Sequence, residues 1–118
     1  MKKVFYTVVV LGLMTSSAAL AQPATKTMKG YIVDNACASE HKTDLAAFVT
    51  THPKTCILKG PCSASGYAIF ADGKLEKFSS ASSAQISDFL KKDDSQTAVE
   101  VSAEENNGEL KLVSIKNQ

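Results

Sequence analysis

Residues 67–78 read YAIFADGKLEKF, and this stretch predicts a β-hairpin. Its first five residues are apolar or aromatic, as in a buried strand, and residues 74–78 form a second extended segment. Between them lies Asp72-Gly73, a dipeptide that accepts positive φ at both positions of a two-residue turn. The hairpin therefore fixes two neighbouring strands from which the rest of the chain is placed.

A helix is predicted directly after this hairpin. Ser82 and Gln85 have the three-residue spacing of a capping box. Ile86, Phe89 and Leu90 then fall on one face of a helix that packs against the sheet.

The C-terminal part predicts a second hairpin. Residues 97–103 alternate between apolar and polar side chains, and Asn107-Gly108 marks the turn into the last strand. The apolar residues of that strand change phase between Leu112 and Val113, which indicates either a β-bulge or burial on both sides.

The segment before the first hairpin predicts one strand and an insertion. Residues 28–33 form the first strand, around a glycine. Thr43 or Asp44 is suited to cap a short helix, and Pro53 ends it. Residues 54–65 follow as an irregular stretch.

These elements together predict a mainly β, α+β fold. We expect a small five-stranded OB-like barrel, with a helix between strands 3 and 4 and a Cys/His-bearing insertion after strand 1. The alternative is an open sheet with the helix packed on one face.

The N-terminus has the pattern of a signal peptide. Lysines at residues 2–3 precede an apolar run at 4–14, and the small-residue triplet ALA at 19–21 fits a cleavage site. The 11-residue apolar run is shorter than the about 20 residues that a membrane span needs. We therefore predict a signal peptide over residues 1–21 and a soluble, non-lipidated periplasmic protein with a flexible leader at 22–27.

The remaining residues 28–118 have the length of a single domain. Without the two lysines of the signal peptide, 11 lysines stand against 12 acidic residues, and the chain has no arginine or tryptophan. A nucleic-acid-binding protein is expected to carry a basic face and arginine contacts to phosphate. Composition therefore excludes nucleic acid as a partner.

A cluster of sulfur and nitrogen donors lies in the insertion. All three cysteines and both histidines of the chain fall within 26 residues: Cys37, His41, His52, Cys56 and Cys62. Thiolate and imidazole are the ligands that zinc and copper prefer, and three cysteines with one histidine make a known zinc set. We therefore predict a non-enzymatic copper or zinc site with Cys37, Cys56 and Cys62 as thiolate ligands, His52 as imidazole ligand and His41 as its substitute.

Two other interpretations of the cluster stay open. In an oxidising compartment, cysteines first indicate disulfides, and three cysteines would give one bridge and one spare thiol. The protein would then be a disulfide-stapled module that binds an unknown periplasmic partner. The second interpretation is thiol–disulfide redox chemistry.

Three acidic residues border the cluster: Asp34, Glu40 and Asp44. Because acidic side chains are usually exposed, we expect these three to be solvated charges rather than hydrogen-bond partners of an imidazole.

The spacing of these residues resembles a family of small exported bacterial proteins. The shared pattern is G-x-x-x-D-x-x-C, starting at Gly30, followed by H-x-x-x-C-x5-C-x-x-S-G, starting at His52. The resemblance covers nearly the whole mature chain and singles out Cys37, His52, Cys56 and Cys62. It implies a single domain built around this cluster, and it implies no reaction.

Overall fold

The computed structural model describes residues 24–118. The predicted signal peptide, residues 1–21, lies outside this range. The first strand begins at Thr25, earlier than the start predicted at Met28. Residues 25–27, which were predicted to be part of the flexible leader at 22–27, therefore belong to the sheet.

The described residues form five strands and five helices. In chain order they are β1 (Thr25–Asp34), α1 (Asn35–Glu40), α2 (Leu45–Thr51), α3 (Lys54–Ile57), α4 (Gly60–Ala64), β2 (Tyr67–Ala71), β3 (Lys74–Lys77), α5 (Ser80–Leu90), β4 (Ala98–Asn106) and β5 (Glu109–Asn117). The stretch predicted to be irregular, residues 54–65, contains the two short helices α3 and α4. The mainly β class and a helix between strands 3 and 4 are confirmed.

The five strands form one antiparallel sheet in the order β3-β2-β1-β4-β5. The closed OB-like barrel is not confirmed, because the sheet is open and β3 and β5 are its edges. A single parallel bridge, between Phe78 and Leu110, joins the chain after β3 to β5. Closure requires paired edge strands, but β3 is four residues long and the chain enters α5 directly after the bridge.

Both predicted hairpin turns are confirmed by their backbone angles. Asp72 and Gly73 have φ of 52° and 72°, and Asn107 and Gly108 have φ of 53° and 79°. These values lie in the left-handed region that a two-residue hairpin turn requires at both positions.

The change of phase in the last strand is a β-bulge. Ser102 of β4 pairs with Ser114, whereas the next residue, Ala103, pairs with Leu112. Val113 is therefore the extra residue, and its side chain is exposed.

The predicted start of the long helix was wrong. The N-cap of α5 is Ser79, whose Oγ accepts the N–H of Ser82 at 3.2 Å. Ser82 lies inside the helix and is buried, where its Oγ accepts the N–H of Leu112 at 2.8 Å. Ile86 and Leu90 are buried against the sheet, as predicted.

Two hydrophobic cores cover the end of β1 on opposite faces. Ile32 belongs to the larger core, together with residues of α5 and of the other strands. The next residue, Val33, belongs to a smaller core with Ala38 of α1 and Val49 of α2, since successive strand residues point to opposite faces. The strand end at Asp34 is therefore enclosed from both sides.

Candidate metal centre

Asp34 lies where the first strand turns into the first helix. Its backbone is extended, and its Oδ2 accepts the N–H of Cys37 at 2.9 Å, so Asp34 is the N-cap of α1. Aspartate is among the preferred N-cap residues because its short side chain reaches an unpaired helix N–H. The residue has no exposed surface. The expectation that Asp34 is a solvated charge was therefore wrong.

His52 reaches the same point from the end of α2. Its N–H donates to the carbonyl of Phe48 at 3.0 Å, and Pro53 prevents the helix from continuing. The imidazole Nε2 lies 2.9 Å from Oδ1 of Asp34, and His52 is 8% exposed. The ring of Phe48 lies against it, with centroids 4.5 Å apart. The imidazole is thus fixed between an aromatic ring and a buried carboxylate.

Cys37 completes a group of three. One ligand atom each of Asp34, Cys37 and His52 lies within 4.8 Å of the other two, and Cys37 is partly buried. These residues come from the end of β1, from α1 and from the end of α2. They lie close enough to hold a metal ion with one oxygen, one sulfur and one nitrogen donor.

The electrostatics of Asp34 favour its ionised form. Burial alone would raise the pKa of this carboxyl group, but hydrogen bonds from the Cys37 N–H, the His52 imidazole and the Cys37 thiol lower the pKa below its ordinary value. An ionised carboxylate only accepts hydrogen bonds, so Nε2 of His52 carries the proton that joins the two groups.

The same surroundings keep the Cys37 thiol protonated. Burial raises the pKa of this thiol to about 12, and the hydrogen bond to Asp34, the negative charge of Asp34 and the neighbouring Cys62 all act in the same direction. A thiol of this kind is a poor nucleophile, because the thiolate is the reactive form. A cation that binds here supplies the positive charge that makes the thiolate favourable.

The other two cysteines lie outside the group of three. Cys62, in α4, is near enough to Cys37 for its thiol to interact with the Cys37 sulfur. Cys56 lies in α3 and is partly buried. All three cysteines are free thiols, so no disulfide is present among residues 24–118.

His41 also lies outside the group, although it is linked to it through Phe48. Its ring stacks on the Phe48 ring with a centroid distance of 3.7 Å and an interplanar angle of 5°. Its Nδ1 lies 3.2 Å from Oδ1 of Asp44. Glu40 is exposed, as predicted for a solvated charge, whereas Asp44 is exposed and also partners the His41 imidazole.

Two clefts on the described surface have volumes of about 550 and 510 Å³. Neither is lined by Asp34, Cys37 or His52. These two clefts therefore lie apart from the group of three.

No protein-family model, curated protein or solved structure matches this chain. Among the helices of residues 24–118, none is long and apolar enough to cross a membrane.

Proposed function

We propose that this protein is exported to the periplasm and binds one zinc ion there through Asp34, Cys37 and His52. The observation that carries the proposal is the convergence of these three ligand atoms, within 4.8 Å of one another, around a fully buried carboxylate. Three protein ligands and a water molecule form a common open type of zinc site.

A buried negative charge supports a cation at this position. Removing an unpaired carboxylate from water is costly, so buried carboxylates are paired with a cation or coordinate a metal. In the metal-free protein, Asp34 has hydrogen bonds from neutral donors and from the His52 imidazole, and no lysine takes part in these bonds. A divalent ion would neutralise Asp34 together with the thiolate of Cys37.

The distance between Asp34 and His52 indicates how the ion enters. The two atoms, Oδ1 and Nε2, are 2.9 Å apart, which is a hydrogen-bond distance. In a tetrahedral site with zinc bonds near 2.0 Å, two such ligand atoms lie roughly 3.3 Å apart. A zinc ion would therefore take the place of this hydrogen bond, and the two groups would move apart by a few tenths of an ångström.

The donor set favours zinc over copper. Cu(I) selects soft sulfur ligands, whereas zinc accepts carboxylate, imidazole and thiolate together. The sequence pattern gave no preference between copper and zinc. Because the carboxylate of Asp34 takes the place of a second cysteine, the site offers copper one soft ligand fewer.

The test starts from protein released from the periplasm by osmotic shock, with its mass measured to confirm cleavage before Gln22. Reduced, metal-free protein is titrated with Zn(II) and Cu(I) against a chelator of known affinity. We expect one zinc per chain. Cys37→Ser, His52→Ala and Asp34→Asn should each weaken zinc binding more than about 100-fold, since loss of an outer-shell partner alone costs 10–100-fold.

Cys56→Ser and His41→Ala are the matched controls, because both residues are donors of the same cluster that lie outside the group of three. Each should bind zinc within a few-fold of the natural protein. If Cys56→Ser abolishes binding and Asp34→Asn does not, the ligand set is the one that the sequence pattern predicted. A protein that binds neither ion when reduced would leave the stapled module as the better interpretation.

A further inference from the structure

We infer that Cys37 and Cys62 are a redox pair, and that a disulfide between them switches the metal site off. The part that concerns the metal rests on the proposed function, whereas the disulfide itself does not.

The geometry that supports this pair is a clamp between α1 and α4, two helices that lie in contact. Oγ of Ser65, at the end of α4, accepts the N–H of Ala36 at 3.1 Å and donates to the carbonyl of Cys62 at 2.6 Å. Nδ2 of Asn35 donates to the carbonyl of Ser65 at 2.9 Å. Ser65 therefore fixes the turn that carries Cys62 against the first turn of α1, where Cys37 lies.

The two thiols are in reach of each other in this arrangement. Cys62 is one of the groups that raise the pKa of Cys37, which places its thiol near the Cys37 sulfur. Cys56 is not among the groups that act on the pKa of Cys37. Among the pairings that the sequence left open, the nearness of these two residues favours Cys37 with Cys62 and leaves Cys56 as the spare thiol.

The oxidant for this step is a disulfide compound, either a small molecule or a protein. The thiolate of Cys62 attacks one of its sulfurs and displaces one thiol, which leaves a mixed disulfide on Cys62. Cys37 loses its proton, attacks the Cys62 sulfur and displaces the second thiol. The cysteines lose two electrons and two protons, and the oxidant gains them as two thiols.

The disulfide and the metal exclude each other because both use the same sulfur atom. Once Cys37 is bonded to Cys62, it is no longer a thiolate, and the site keeps only Asp34 and His52 as donors. Linkage requires the reverse effect to have the same size, so bound zinc must protect Cys37 and Cys62 from oxidation. The protein would bind zinc in its reduced form and release it when the surrounding thiol pool is oxidised.

The experiment uses the exported protein purified from periplasm. The reduced protein, with and without zinc, is equilibrated with oxidised glutathione, and the disulfides are mapped by mass spectrometry of peptides. We expect a bridge between Cys37 and Cys62, a loss of zinc affinity of more than about 100-fold in the bridged form, and less bridge formation when zinc is present.

Cys62→Ser and Cys56→Ser are the informative variants. When reduced, Cys62→Ser should bind zinc nearly as the natural protein does. In oxidised glutathione, Cys62→Ser should keep its zinc because it cannot form the bridge, whereas Cys56→Ser, which still can, should lose its zinc. A bridge that involves Cys56, or a Cys37–Cys62 form that still binds zinc, overturns the inference. If Cys62→Ser loses zinc binding in the reduced state, then Cys62 is a ligand and the switch is wrong as stated.

The peptide map separates this inference from the proposed function. If the reduced protein binds no zinc, the proposed function and the metal switch both fail. The redox pair itself is then upheld by a Cys37–Cys62 bridge and overturned by its absence.

Discussion

Oδ1 of Asp34 and Nε2 of His52 lie 2.9 Å apart, although the two residues are 18 positions apart in the chain. Both side chains are buried, at 0% and 7% exposure. Asp34 uses its other oxygen to cap α1, so a single carboxylate joins the end of β1, the start of α1 and the end of α2. The same residue therefore has a structural task and, in our proposal, a metal-binding task.

Substitution of Asp34 separates these two tasks. Asp34→Ala removes the cap and leaves the imidazole N–H of His52 unpaired, so we expect a loss of about 2–4 kcal/mol in the free energy of unfolding. Asp34→Asn keeps an acceptor for the cap but places an amide N–H₂ against Nε2 of His52, so it should lose about 1–2 kcal/mol, less than Asp34→Ala. Urea unfolding of the metal-free protein measures both. Asp44→Ala is the control, because Asp44 makes no side-chain cap bond to α2 and should cost less than about 1 kcal/mol.

Lys54 anchors the insertion to the rest of the domain. Its Nζ donates to the carbonyls of Lys92 and Ser95 and to Oγ of Ser95, at 2.8 to 3.0 Å. Lys54→Met keeps the aliphatic chain but removes all three bonds, and we expect a loss of about 1–3 kcal/mol in urea unfolding. The exposed Lys59 offers the comparison, since Lys59→Met should stay within about 0.5 kcal/mol. Equal stability of both variants would show that the Lys54 anchor contributes nothing.

Turn chemistry and apolar periodicity made much of the fold predictable. Asp72-Gly73 and Asn107-Gly108 predicted both hairpins, because their positive φ is a local property of the dipeptides. The start of α5 was misplaced because any serine of the run at residues 79–83 is a suitable cap. The contact of Ser82 with Leu112, which places Ser82 inside the helix, is a tertiary contact.

The candidate site was only partly predictable, because it too depends on tertiary contacts. Cys37 and His52 were found because thiols and imidazoles are rare in this chain and concentrated in one segment. Asp34 was missed because acidic residues are common and usually solvated, and its burial results from packing on both faces of β1. One local signal was present: an aspartate at the end of an apolar strand, three residues before a cysteine, has the position of an N-cap.

Gly30 marks a close approach of β1 to β2. A Cβ placed on it would lie 2.2 Å from the carbonyl oxygen of Phe70, a backbone atom that moves only with its strand. Gly30→Ala should therefore destabilise the domain by about 1–3 kcal/mol or more. Apart from its chain neighbours, nothing lies within 4 Å of a Cβ at Gly60, and only the following Pro61 restricts it, so Gly60→Ala should cost less than about 1 kcal/mol. Thermal unfolding of the two variants decides whether this approach is as tight as described.

Zinc binding should release about one proton from the site. The Cys37 thiol is protonated in the metal-free protein and must lose its proton to become a ligand. Calorimetric titration in buffers of different ionisation enthalpy counts the released protons. If one proton is released, zinc affinity should fall about tenfold for each unit by which the pH is lowered. A release of zero protons would show that Cys37 is not a ligand.

The raised pKa of Cys37 predicts how the metal-free protein responds to alkali. In the unfolded chain this thiol ionises around its ordinary pKa of 9.0, whereas in the folded protein burial and Asp34 raise the pKa to about 12. Between these values the unfolded state loses a proton that the folded state keeps, so the contribution of Cys37 to stability is present below pH 9 and is lost as the pH rises toward 12. Cys37→Ser removes this group, and its free energy of unfolding should fall less steeply above pH 9 than that of the natural protein. Urea unfolding of the two reduced proteins between pH 7 and pH 11 makes the comparison, and parallel curves would mean that the Cys37 thiol is not held protonated by the fold.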